Sequence, residues 1–400
     1  MRILLLTGEF DPFNIGGLGR YVNKIFELIS SDPDIQIDVL NIINYIKIHF
    51  SSPFKALEKI QTKRSIILHI DGKSDGVVEN DKEGADIIAS SIQYLLFPYD
   101  IVFVQDVHNA RVARQLLQKK LVSHIISFVH LSCNYYNPHL QTIYQSKTAF
   151  ISKKRVCEKI LEELSSAYLC PSKHTKKLAT SPKLRLSTCH VIPLAANINL
   201  AQTSLQQLNK NKWDHLQPLR LISVGRFVEQ KAPLYLCDVI KYCRDFGLDF
   251  HITLIGTGYM KAEVDVRLQK ENLNDYVTII YRHLNEKEVF AHLSKSHIFI
   301  STTLFESFGF SILEAMACEC VPICFNNTAI PELINSNEVG FLIENEQPQY
   351  MAEKILSLAK TPNLLQKIAS NAKCRASHYT WERHVKKLMS LFTATLGSPI

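Results

Sequence analysis

Short runs of apolar and β-branched residues alternate with longer stretches of helical periodicity along all 400 residues of the chain. The runs at 3–6, 37–43, 66–70, 101–104, 125–129, 167–170 and 190–193 predict one series of strands. A second series falls at 219–224, 251–255, 277–281, 298–301, 321–325 and 340–343. Between them, 21–29, 112–120, 155–164, 234–244 and 351–359 carry apolar positions at helical spacing. The strand runs are continuously apolar, so both faces of each sheet are expected to be covered by helices, as in parallel sheets. Two such series predict an α/β chain with two parallel-sheet domains. We place the first at residues 1–196 and the second at 218–379. The polar stretch 197–217, with Gln202, Ser204, Gln206, Gln207, Asn209, Lys210 and Asn211, is read as the linker.

Size and composition agree with this division. A chain of 400 residues exceeds what one hydrophobic core organises. With 46% hydrophobic and 21% charged residues it reads as a soluble enzyme. No apolar run approaches the roughly 18–20 residues of a membrane span. The opening Met1-Arg2-Ile3-Leu4-Leu5-Leu6 could pass for a leader, but Thr7, Glu9 and Asp11 end it early. A buried first strand and a cytoplasmic chain are expected instead. Ten cysteines lie between Cys133 and Cys374 without a Cys-x-x-Cys pair. Cys318, Cys320 and Cys324 are the tightest group, but nothing completes a zinc-like spacing, so reduced thiols and no metal are expected.

The net charge of +7 is uneven: residues 1–195 hold 24 Lys and Arg against 18 Asp and Glu. Within 147–185, ten basic residues, including Lys153, Lys154, Arg155, Lys173, Lys176 and Lys177, stand against three acidic ones. This reads either as a solvated helical face or as a surface meeting anionic lipid or an acidic acceptor, with peripheral contact at the inner membrane face. Nucleic acid is not expected, because no aromatic residues interleave with the lysines.

The densest chemical feature is Phe305-Glu306-Ser307-Phe308-Gly309-Phe310-Ser311-Ile312-Leu313-Glu314. It follows the predicted strand at 298–301, at the end where open parallel sheets bind ligands. Gly309 permits a tight turn, and free amides near Phe310 and Ser311 would suit an anion at the helix start. Glu306 and Glu314 can accept hydrogen bonds from sugar hydroxyls. Each alone also reads as an ordinary glutamate of a strand–turn–helix joint.

Arg226 and Lys231 follow the first strand of the second domain, where two cations can neutralise a diphosphate. Gly16 and Gly17, after the first strand of the chain, let a backbone approach a phosphate or sugar closely. The Gly-x-Gly-x-x-Gly spacing is absent there. Gly256-Thr257-Gly258 is followed by a strand ending in Tyr281-Arg282 rather than an acidic residue, so hydride transfer is disfavoured.

In this order the segments resemble the family-4 retaining glycosyltransferases of the GT-B fold (glycosyl transferases group 1), most densely over 219–342. The resemblance rests on Val224-Gly225-Arg226, Lys231, the Glu306/Glu314 pair, Ile330-Pro331-Glu332-Leu333-Ile334 and the closing Tyr379-Thr380-Trp381-Glu382. It implies two Rossmann-like domains facing across a cleft, with a closing helix at about 380–400 packing back on the first. It implies a nucleotide-diphosphate sugar as co-substrate, no other cofactor and no metal. Transfer with retention would go to a hydroxyl of a glycan, lipid-linked or small-molecule acceptor. By position, Arg226 and Lys231 would bind the diphosphate, Glu306 the transferred sugar and Glu314 the ribose. The amides after Gly309 would help bind the donor, Gly16 and Gly17 would close the cleft, and His130 would lie near the donor sugar. His108 competes with His130 for that role. The chain departs from the pattern at Thr328-Ala329, where glycines are usual, at Ala195-Ala196-Asn197, and near Arg282. A silent sugar-nucleotide binding protein, or a hydrolase or epimerase on the same fold, remain the alternative readings.

Overall fold

The computed structural model describes residues 1–10, 17–44, 57–62, 65–72, 81–130, 148–179, 188–208, 212–214 and 218–397. They form two compact units, Met1–Ile192 with Val385–Ile400, and Pro193–His384.

The first unit holds β1 (Arg2–Thr7), β2 (Gln36–Asn44), β3 (Leu57–Gln61), β4 (Ile66–Gly72), β5 (Tyr99–Val104), β6 (Val122–Phe128), β7 (Ala167–Cys170) and β8 (Cys189–Val191). They lie in the order β3-β4-β2-β1-β5-β6-β7-β8. The central pairings are parallel, whereas β3 runs antiparallel to β4 at the edge. Ile3, Leu4, Leu5 and Leu6 are all fully buried, which is why β1 carries no polar alternation. The edge strand β3 escaped the sequence reading because Leu57-Glu58-Lys59-Ile60-Gln61 is too polar for a buried parallel strand. An edge position requires no such burial.

The second unit holds β9 (Leu219–Val224), β10 (Phe250–Ile255), β11 (Val277–Ile280), β12 (Ile298–Ser301), β13 (Val321–Phe325) and β14 (Phe341–Ile343), ordered β11-β10-β9-β12-β13-β14. Every pairing is parallel. The chain winds outward from β9 to β11, then returns beside β9 as β12 and winds the other way. The loops after β9 and β12 therefore diverge to opposite faces and leave a crevice at their carboxyl ends.

The stretch read as a linker is not a free connection. Residues 193–208 belong to the second unit, and Ile198–Gln206 is a helix whose Asn197 cap accepts the Leu200 N–H at 3.1 Å. That helix packs against the helices Glu286–Lys295 and Phe310–Ala317. The buried Lys212 ammonium donates to the carbonyls of Ser296, Cys318 and Glu319 at 2.9, 2.8 and 2.9 Å. These are orphan carbonyls at the ends of the same two helices. Asn197 and Lys212 thus serve helix ends, whereas Gln202, Gln206 and Gln207 are exposed as their polarity suggests.

The closing helix Trp381–Leu396 is shared. His384 Nδ1 meets the Pro193 carbonyl at 2.7 Å in the second unit, and Phe392 packs at 5.0 Å on Phe103 in the core of the first. Among the described residues no helix is long and apolar enough to cross a membrane.

Candidate functional site

The crevice of the second unit is built from three loops. After β9, Gly225-Arg226-Phe227 runs into a single helical turn, Glu229–Lys231, and then the helix Pro233–Asp245. After β12, residues 302–309 lead into the helix Phe310–Ala317. After β13, Asn326 to Ala329 precede the short helix Ile330–Leu333. Their backbones are tied to one another. Gln230 accepts the Leu304 N–H at 2.9 Å, and its side chain donates to the Phe305 carbonyl at 3.0 Å. The Thr302 hydroxyl donates to the carbonyls of Lys231 and Ala232, both at 3.1 Å.

These ties bring Lys231 and Glu306 into a direct ion pair, with side chains only 21% and 14% exposed. Arg226, Lys231, Thr302 and Ser311 line one small cleft beside this pair. The Arg226 guanidinium is exposed and makes no ion pair among the described residues, so its charge faces outward. Glu306 is therefore the acceptor of the Lys231 ammonium at the cleft, while the Arg226 charge is left unpaired among the described residues.

Gly309 sets the start of the helix Phe310–Ala317. Its φ of 101° lies where a side chain is strained, and a Cβ would sit 3.1 Å from Ile312 Cδ1 and 3.4 Å from Leu333 Cδ1. Phe310 and Ser311 are half-buried at the first positions of the helix, where the N–H groups lack carbonyls within it. Glu314 lies in the second turn and is buried, 4% exposed.

Gly256 and Gly258 have a different use. A Cβ on Gly256 would fall 1.8 Å from the Gly225 carbonyl oxygen, and one on Gly258 would fall 2.1 Å from that of Phe227. They let the loop after β10 lie directly on the Arg226 loop, and Phe227 N–H bonds the Thr257 carbonyl at 2.9 Å. Arg282, after β11, is paired with Glu288 at 2.8 Å.

In the first unit, His130 follows β6. It stacks on Phe128 at 4.5 Å, meets Tyr21 edge-on at 4.8 Å, and its Nε2 bonds Gln105 Oε1 at 3.0 Å. His108 is turned to Asp106 Oδ1 at 3.1 Å. Gly17 opens the helix Gly17–Ser30, and the Glu9 carboxylate accepts the Gly19 N–H at 3.0 Å, so a side chain of the chain itself already serves that helix start. Gly16 lies outside the described residues, as does Cys133.

Of the basic stretch, the Lys176 ammonium donates to the Cys189 carbonyl at 2.6 Å, while Arg155 is exposed. The side chains of Lys153 and Lys154 lie outside the described ones. Cys318, Cys320 and Cys324 are buried thiols, and burial pushes Cys320 up to about 11. Its Sγ points at the carbonyls of Leu293 and Ser296, at 3.0 and 3.4 Å. Among the described residues no three His, Cys, Asp or Glu side chains form a group fit to hold a metal.

Comparison with known proteins shows which families share this sequence and fold. Residues 206–375, which hold the whole constellation from Arg226 to Glu314, match the family of glycosyl transferases group 1. The chain is 26% identical over 394 residues, 97% of both chains, to an uncharacterised glycosyltransferase of Methanocaldococcus jannaschii. The second unit thus carries the match to the group 1 glycosyl transferases, and the chain along its length is similar to a protein named as a glycosyltransferase. The fold of the chain is GT-B. Sucrose-phosphate synthase from Thermosynechococcus elongatus superposes with a TM-score of 0.78 at 15% identity, covering 98% of this chain and 99% of that one. Anabaena HepE in complex with UDP-glucose superposes at 0.72 and 14% identity, covering 98% and 100%.

The sequence reading gave no role to the residues that tie these loops together, namely Gln230, Thr302, Asn327 and Thr328. Thr302 stands in Ser301-Thr302-Thr303 at the end of an apolar strand. Hydroxyls at that point of a parallel strand are the one mark that could have singled it out.

Proposed function

We propose that this chain is a retaining, metal-independent transferase of the family-4 kind. It would move a hexose from a nucleotide-diphosphate sugar to a hydroxyl of a glycan, lipid-linked or small-molecule acceptor. The observation that carries the reading is the pairing of Lys231 with Glu306 beside Arg226, at the point where the sheet reverses its winding. HepE, which shares the fold, binds UDP-glucose.

In this reading the bond between the anomeric carbon and the donor's β-phosphate oxygen lengthens, charging the diphosphate negatively and the sugar positively. Arg226, Lys231 and the amides of Phe310 and Ser311 stabilise the first charge; each such donor contributes roughly 3–4 kcal/mol. Arg226 is exposed and free to swing onto an incoming diphosphate. Lys231 already spends part of its charge on Glu306, so its ammonium must bridge carboxylate and phosphate. This fixes the sugar, held by Glu306, relative to the leaving group. Glu314 would bind the ribose. His130, with Gly16 and Gly17, would serve the donor from the first domain. The acceptor hydroxyl attacks from the face the diphosphate leaves, and a departing phosphate oxygen takes its proton. The chain requires no cofactor beyond the sugar nucleotide in this reading. Association with the inner membrane face through the basic N-terminal half is part of the proposal only where the acceptor is lipid-linked.

The test is a panel of UDP-, GDP- and ADP-hexoses read by thermal shift. A bound donor at 100 times its Kd raises stability by about 2.7 kcal/mol. The stabilising donor is then offered with candidate acceptors, and products are identified by mass spectrometry. A glycosylated product without added metal supports the reading; free sugar or an epimer replaces it with hydrolysis or epimerisation. Binding without turnover would mark a silent binding protein.

A further inference from the structure

We propose that Thr328 is a positioning residue, whose hydroxyl grips the backbone of Glu306 and so aims that carboxylate at Lys231 and the transferred sugar. The inference rests on the reading just given and adds to it a residue that touches neither donor nor acceptor.

The Thr328 Oγ1 accepts the Glu306 N–H at 2.7 Å and donates to the Glu306 carbonyl at 2.8 Å. One hydroxyl thus holds both polar groups of a single residue. Thr328 pays for this with a φ of 52°, a region that β-branched residues seldom occupy. A glycine would adopt that backbone without strain but would bring no hydroxyl. Strain kept at a site, together with a specific contact, is the pattern expected of a functional constraint.

The surroundings say why Glu306 needs such a grip. The segment from Thr303 to Phe305 is already held from two sides. Asn327 donates to the Thr303 carbonyl at 3.0 Å, and Gln230 bonds Leu304 and Phe305. Beyond Phe305 the chain runs through Glu306 and Ser307 into the turn at Gly309. Without Thr328, the backbone of Glu306 would keep, among the described residues, the longer bond from the Ala329 N–H at 3.3 Å. A carboxylate on a loosened peptide would still reach Lys231, since that side chain is long, but would no longer fix where the sugar sits.

The experiment compares Thr328→Ser, Thr328→Gly, Glu306→Gln and the double variant Thr328→Gly with Glu306→Gln. The donor is whichever UDP-, GDP- or ADP-hexose turns over. Thr328→Gly is expected to lower kcat by about tenfold or more through lost orientation, while its thermal midpoint moves by only a few degrees. Donor KM should change less than about threefold, because the diphosphate ligands are untouched. Thr328→Ser, which keeps the hydroxyl, should recover at least about half of the wild-type kcat. In the Glu306→Gln background Thr328→Gly should add nothing further, since the carboxylate it aims is gone. A merely structural role would instead lower the thermal midpoint with kcat unchanged, or give losses that multiply in the double variant; either result overturns the proposal. If Glu306→Gln alone leaves kcat intact, or no donor turns over, it is the functional reading underneath that fails, and the role of Thr328 falls with it.

Discussion

At the scale of single residues, the site is a small number of charges whose types were legible in the sequence and whose pairing was not. Arg226, Lys231, Glu306 and Glu314 stood out because cations and carboxylates followed apolar strands at the end where ligands bind. Nothing in their spacing tells which carboxylate meets which cation, because Lys231 and Glu306 lie 75 residues apart. Truncating Arg226 to Ala should lower kcat about 10²–10³-fold, the usual loss for a charge-stabilising donor. Its thermal midpoint should barely move, because the side chain is exposed and unpaired among the described residues. Lys231→Ala should lose at least as much activity and also some stability, since Glu306 is left part-buried without its cation. Steady-state kinetics and thermal denaturation on the same samples separate the two effects. Arg226→Ala with full activity would remove it from the site.

At the scale of elements, apolar periodicity predicted every described strand but β3, and the helices over 21–29, 112–120, 155–164, 234–244 and 351–359 but not others such as Asp81–Ser91, Glu286–Lys295 and Pro362–Ala376. The misses have specific causes. The edge strand β3 is polar, and the helix Lys261–Lys270 buries only Val264 and Leu268 among its charged residues, too thin an apolar stripe to read. The start of the helix Phe310–Ala317 was legible because Gly309 marks it. Gly309→Ala should cost about 1–3 kcal/mol, from forcing a side chain into the φ of 101° and against Ile312. Urea denaturation measures this. Because the helix-start amides move with the turn, donor-induced thermal stabilisation should shrink as well. An alanine variant as stable and as well stabilised by donor as the parent would mean the turn is not tightly specified.

At the scale of the whole molecule, long-range polar contacts decide how stability answers to pH. His297, fully buried at the start of the Ile298–Ser301 strand, accepts the Arg220 N–H at Nδ1 at 3.0 Å and faces the Lys212 carbonyl with Nε2 at 2.8 Å. The Arg220 Nη2 also lies 2.7 Å from Nε2, so the ring faces N–H donors of Arg220 at both nitrogens, and a proton on Nδ1 would displace the backbone bond. Burial depresses its pKa from 6.5 to about 4, and the neighbouring Arg220 and Lys212 charges push the same way. The unfolded chain therefore binds this proton more readily than the folded one. Stability should be unaffected above about pH 6.5 and decline as pH falls toward 4, by about 3 kcal/mol in all. Chemical denaturation of wild type and His297→Asn between pH 7 and 4.5 checks this. The difference in their pH slopes reports His297, and equal slopes would assign the acid sensitivity to other groups. The network links 212, 220 and 297, residues that the sequence reading had divided between a linker and a domain.

What the sequence determined on its own was the class of the fold and which residue types stand where its strands end. Burial on both faces leaves an apolar strand pattern, and glycine, arginine and glutamate leave recognisable marks where backbone strain or charge is needed. What only the tertiary structure decided was closure. It put Lys231 on Glu306, made a supposed linker part of the second domain, and turned Thr328 from an anomaly of the pattern into a clamp. Hydrogen bonds between residues distant in the chain depend on where the sheet brings loops together, and that position is a property of the folded whole.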